Sequence, residues 1–138
     1  MKFKKITIPL FIILVLAAIL RLWGLSNNPP HLTNDEAALG YNAYSILKTG
    51  KDEHGELLPI IFKSFGDWKP GLYIYLDVPF IATLGLTKFA TRLPSALAGI
   101  LAIWLLYLIV LKLFNKPRLA ILASFFLAVS FSHTLFSR

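Results

Sequence analysis

The stretch "PSALAGILAIWLLYLIVLKLF", Pro94 to Phe114, constrains this chain more than any other. It holds a single charge, Lys112, near its end, and as a helix it reaches roughly 30 Å, the thickness of bilayer hydrocarbon. A water-soluble domain of 138 residues has too small an interior to hide it beside the other apolar runs: 57% of the chain is hydrophobic, 15% is charged, and the mean hydropathy is +0.68. Lipid is the expected solvent for most of this surface.

Two further runs fit the same solvent. Ile6 to Trp23 is apolar except for Thr7, Pro9 and Arg21, and at about 18 residues it reaches the lower end of the spanning range. No small-residue cleavage site follows it, so it reads as a retained anchor rather than a secretory signal. A third run extends from about Leu119 to Phe136. The expected fold is all-α and integral to the membrane, with three transmembrane helices at about 6–23, 94–114 and 119–136 and a large first loop at about 24–91.

Lys2, Lys4 and Lys5 precede the first span, while Lys112, Lys116 and Arg118 lie around the short link between the second and third. Short basic clusters on one side mark the cytoplasmic face, which predicts a multi-pass protein of the cell membrane with a cytoplasmic N-terminus. The first loop is then extracytoplasmic. It contains all seven acidic residues: Asp35, Glu36, Asp52, Glu53, Glu56, Asp67 and Asp77. The formal charge of +7 thus has a topological meaning; no basic cluster comes with the polar surface of a nucleic-acid groove, and no nucleic-acid partner is expected. There is no cysteine, hence no disulfide or thiolate metal site. No internal repeat or phosphate-binding glycine pattern is present, and His31, His54 and His133 are too scattered to predict a metal centre.

Within the loop, Thr33 followed by Glu36 fits a capping box, predicting a helix from Asn34 to about Lys48 that stops at Gly50. Leu39, Ala43, Ile46 and Leu47 share one face of it, and Tyr41 and Tyr44 lie on another, as in a short helix along a membrane surface. Leu57 to Phe62 can be extended. Lys69-Pro70 then reads as a helix start, leading into Leu72 to Leu84, a juxtamembrane helix too short to cross, with Asp77 turned to protein or water.

Several loop residues invite chemistry. Asp35 and Glu36 are both favourable at a helix N-terminus, and for Glu36 capping can be the whole role; Asp35 is not needed by the cap, and a carboxylate beside a bilayer is costly unless something uses it or satisfies it. Lys69 either snorkels or presents a cation to a lipid phosphate. Arg21, Arg92 and Arg138 lie at extracytoplasmic span ends, where an anionic headgroup would suit them.

Taken together, "LTNDEAALGYNAYSILKTGKDEHGELLPIIFKSFGDWKPGLYIYLDVPF", "FATRLPSALAGIL" and the closing "FSHTLFSR" resemble the N-terminal part of C-fold membrane glycosyltransferases, the bacterial relatives of protein mannosyltransferases and lipid A aminoarabinose transferases. The resemblance implies inverting transfer of a sugar from a polyprenyl-phosphate donor to an extracytoplasmic acceptor. It makes Asp35 and Glu36 the catalytic candidates, with Asp35 the general base, and Lys69 a contact to the donor phosphate, with Arg92 and Arg138 as further donor-phosphate candidates. The resemblance points to no definite cofactor, with a divalent cation bridging Asp35 or Glu36 to phosphate left as an option. Relatives carry many more spans, so the chain is expected to be an N-terminal fragment, inactive alone, whose partners are membrane lipids and the remainder of a transferase or a complementary subunit. The alternative is a non-enzymatic small membrane protein that binds lipid phosphates or a partner membrane protein.

Overall fold

A computed structural model describes residues 7–138, so Lys2, Lys4, Lys5 and Ile6 lie outside the described residues. The chain forms two compact units. One combines the N-terminal segment up to Trp23 with Ser95–Arg138; the other is Gly24–Pro94.

In the first unit, α1 (Thr7–Leu22) turns Ile13, Ala17 and Arg21 inward at a four-residue spacing. The unit also holds most of α4 (Lys88–Phe114), α5 (Pro117–Val129) and α6 (Phe131–Phe136). Ala120, Ser124 and Ala128 form a buried small-residue stripe on α5, the kind that lets helix backbones approach closely without a hydrophobic driving force. Ala128 packs with Ile13, Ala17 and Ile103, and Ala120 with Tyr107 and Val110.

Of the three expected spans, only α4 is long and apolar enough to cross a membrane among the described residues. It begins at Lys88 rather than Pro94, because the Thr87 hydroxyl accepts from Ala90 N at 3.1 Å and caps the helix a turn and a half earlier. Pro94 therefore sits inside the helix. The expected third span is not continuous: Ser130 is extended, and its hydroxyl accepts from His133 N at 3.4 Å. A serine that caps a new helix competes with continuation of the old one.

The second unit departs from an all-α fold. After α2 (Asn34–Thr49) comes an antiparallel hairpin of β1 (Ile61–Ser64) and β2 (Asp67–Pro70), then α3 (Leu72–Leu84). Phe65 and Gly66 both have positive φ, the geometry that closes a two-residue hairpin with the right twist. The hairpin corrects the reading of Lys69-Pro70 as a helix start. Lys69 pairs with Phe62 and Pro70 with Ile61, and α3 begins only after Gly71. Gly71 N donates to Ile60 O at 2.9 Å, and a Cβ on this glycine would lie 2.7 Å from both Ile60 O and the Phe62 ring.

The α2 capping box is present: Glu36 N donates to Thr33 Oγ1 at 3.2 Å, and Thr33 N to Glu36 Oε2 at 2.8 Å. Gly50, at φ +70°, ends α2 with its N–H on Ile46 O. The core of this unit joins Ala43, Ile46, Phe62, Ile74, Ile81 and Ala90, with the Phe62 and Tyr75 rings edge to face. Leu47, expected on the apolar face, is exposed, and Asn42 occupies the interior instead.

Asp77 is also interior. Neither carboxylate oxygen has a hydrogen-bond partner among the described residues, and burial pushes its carboxyl up to about 7. Between about 4, the ordinary aspartate value, and that point, the folded form keeps a proton that the unfolded form has released. Stability from this group is fully present in acid and is lost as pH rises through about 7. Asp77→Asn should remove that slope, so that the variant melts higher than the parent at pH 8 and close to it at pH 4. A thermal unfolding series across this range checks both arms.

Candidate functional site

The Asp35 carboxylate and the Lys69 ammonium meet. Oδ1 of Asp35 lies 3.1 Å from Nζ of Lys69, although 33 residues separate them in sequence. Asp35 stands in the first turn of α2 with its side chain 73% exposed, whereas the Lys69 side chain is 9% exposed. The hairpin register explains the difference. Phe62, Ser64 and Lys69 turn to the covered face of the two strands, and Ser64 O accepts from Lys69 Nζ at 3.4 Å. Asp67 approaches the same ammonium at 3.9 Å. The result is a cation on a buried stem whose head is shared between two exposed carboxylates at the edge of the unit.

Glu36 faces another way. Its carboxylate takes Nε of Arg92 at 2.7 Å and NH2 at 3.2 Å, in the fork geometry that suits guanidinium to carboxylate. Burial pushes the Glu36 carboxyl up, but hydrogen bonds from Arg92 and Thr33 outweigh it and hold the group below the usual range. Arg92 has five N–H donors. The other three reach Leu25 O and Pro29 O, both at 2.9 Å, and His31 O at 3.0 Å. All five are therefore engaged within the loop unit, and Glu36 takes a fastening role between α2, the segment before it and α4.

Arg138 belongs to the other unit, where its NH2 donates to Trp23 O at 2.6 Å. Arg21 lies there too, fully buried, bonded to Ala17 O and Ala128 O and 2.6 Å from Nδ1 of His133. Among the described residues, no three His, Asp or Glu side chains gather as a metal site requires.

Sequence reasoning missed the group that seats the hairpin. Asn42, buried on α2, donates to Ala38 O at 3.0 Å, Ser64 Oγ at 3.1 Å and Glu53 Oε1 at 3.2 Å, and its own Oδ1 accepts from Glu53 N at 3.0 Å. Ser64 Oγ donates to the same Glu53 oxygen. This network ties α2, which carries Asp35, to the end of β1, whose carbonyl holds Lys69. A visible signal existed: Asn42 lies four residues from both Ala38 and Ile46, in the middle of the buried face.

No curated protein and no solved structure matches the chain. The profile of one protein family does, over residues 11–138, and its description is dolichyl-phosphate-mannose-protein mannosyltransferase. The match takes in α2, the hairpin, α3 and α4 with the Asp35–Lys69 pair and the Glu36–Arg92 fastening, and extends to the end of α6. By that match over nearly its whole length, the chain belongs to the dolichyl-phosphate-mannose-protein mannosyltransferase family, a family of glycosyltransferases.

Proposed function

We propose that this chain carries the base and a donor-phosphate contact of a membrane glycosyltransferase that moves a sugar from a polyprenyl-phosphate carrier to an extracytoplasmic acceptor with inversion. In this reading α1, α4 and α5 with α6 form three spans, the N-terminus is cytoplasmic, and the loop unit faces outward. The observation that carries the proposal is the 3.1 Å contact between Asp35 and Lys69, which brings the sequence-predicted acid and cation to one exposed edge. Family membership supports the reaction class.

The chemistry assigns the two groups different moments. The acceptor oxygen attacks the anomeric carbon, its proton passes to the Asp35 carboxylate, and the bond from that carbon to the phosphate oxygen breaks with its electron pair leaving on the phosphate. Lys69 stabilises that charge. In-line displacement puts base and leaving group on opposite sides of the anomeric carbon, so the contact between Asp35 and Lys69 is a resting arrangement. An arriving phosphate takes the ammonium, and the exposed carboxylate is released for the acceptor. Glu36 and Arg92 hold the start of α2 in place during this exchange.

Lys69→Met keeps a packed stem and removes the charge. In active preparations it should weaken donor binding by about 1.5–3 kcal/mol, the usual range for a charge-assisted hydrogen bond, while the loop unit stays folded. Equilibrium binding of the lipid-linked donor measures this; parental affinity in a folded variant would remove Lys69 from the donor site.

A further inference from the structure

The hairpin has two faces with different fates. Phe62, Ser64 and Lys69 are covered by the rest of the loop unit, whereas Ile61 with Pro70 and Lys63 with Trp68 form the opposite face, and nothing within the unit covers them. Ile60 at 84% exposure and Leu72 at 73% extend this face beyond the strands, and Phe65 at 72% stands at the turn. Ile60, Ile61, Trp68, Pro70, Gly71 and Leu72 line a groove of about 400 Å³ that contains no charged side chain.

We infer that this bare face of the hairpin inserts into the outer headgroup layer of the membrane, so that Ile60, Ile61, Phe65, Trp68 and Leu72 rest among the upper parts of the lipid chains. Three observations choose lipid as the occupant. The only charge on the face is positive: Lys63 lies 5.8 Å over the Trp68 ring, where an aliphatic stem in the apolar layer can bring its ammonium up to lipid phosphates. Tryptophan beside lysine and large aliphatic residues is the composition of segments that lie in the interface. Finally, the unit begins two residues after α1 ends and runs without a break into α4, the helix long and apolar enough to span, so the chain tethers this unit to the membrane-spanning segment. An exposed apolar patch of this kind would be a liability in water. Embedding it would also hold Lys69, on the opposite face of the same strands, close to headgroup level. The inference does not depend on the proposed chemistry.

The absence of cysteine makes the test direct. Ile61→Cys, Phe65→Cys and Glu56→Cys, each carrying a nitroxide, are compared in the full chain reconstituted in phosphatidylcholine–phosphatidylglycerol vesicles. At positions 61 and 65, dissolved oxygen should collide more often than a water-soluble nickel chelate, giving depths of about 5–10 Å below the headgroups; at the exposed position 56 the order should reverse. Equal, water-like values at all three positions would overturn the inference. So would shielding of positions 61 and 65 from both probes, which would mean that a second copy or another protein segment covers the face. If a label disturbs the hairpin, Trp23→Phe with Trp104→Phe leaves Trp68 as the lone tryptophan. Its emission should be quenched by brominated lipid more strongly than by iodide, and the opposite order overturns the inference independently of the labelled variants.

Discussion

Arg92→Ala should destabilise the loop unit by about 3–5 kcal/mol, the usual cost of breaking a buried ion pair by removing one partner. Alanine leaves the Glu36 carboxylate without its fork and the carbonyls of Leu25, Pro29 and His31 without their Arg92 donor. A loss of that size is a large share of the about 5–15 kcal/mol that holds a small domain folded. The expected result is therefore a loop unit open to proteolysis between Gly24 and Pro94 under conditions where the parent resists. Arg92→Lys should recover only a small part: an ammonium has three donors and no planar fork, and it cannot serve five sites. A properly folded alanine variant that lost only donor affinity would instead return Arg92 to the phosphate, as its place at the end of a span first suggested. Melting and limited proteolysis, run beside donor binding, distinguish the two.

The difference between that first suggestion and the structure shows what a sequence of this kind reveals. Local rules were readable: Thr33, Glu36 and Gly50 placed α2 correctly because capping depends on residues within one turn. The length and apolarity of Pro94–Phe114 identified the one helix among the described residues that is long and apolar enough to span by itself. The hairpin and the partners of Arg92 were hidden for a different reason. Pro70 reads as a helix start because proline suits the first helical turn, yet it also tolerates a strand end, and the choice was made by Phe62 packing into the core across from Lys69. Arg92 looked like a free interfacial cation because its partners lie at Leu25, Pro29, His31 and Glu36, more than fifty residues earlier, where no periodicity connects them. The Asp35–Lys69 contact was equally invisible as a distance, although both residues had been singled out for their chemistry. Asn42 was the reverse case: its position on the buried face was available, but a lone amide there gives no indication that Ser64 and Glu53 will come to meet it.

Asp35→Asn carries the second large effect. The amide is close to the carboxylate in shape and can still accept a hydrogen bond from Lys69, so α2 and the hairpin should keep their positions, and Asp35 lies outside both the capping box and the Arg92 fork. What the amide lacks is affinity for a proton. In a complete transferase carrying this N-terminal region, if Asp35 is the general base, turnover should fall by about 100-fold or more, within the range that general-base catalysis contributes, while donor affinity and melting temperature stay near parental values. Glu36→Gln is the informative contrast. It keeps an oxygen for the cap but replaces half of a charge-assisted fork with an amide, so its main signature should be lowered stability, with turnover per folded molecule falling less than in the Asp35 variant. A parental rate in Asp35→Asn, or a larger loss per folded molecule in Glu36→Gln, would move the base from Asp35 to its neighbour and leave the Asp35–Lys69 pair as a structural latch between α2 and the hairpin.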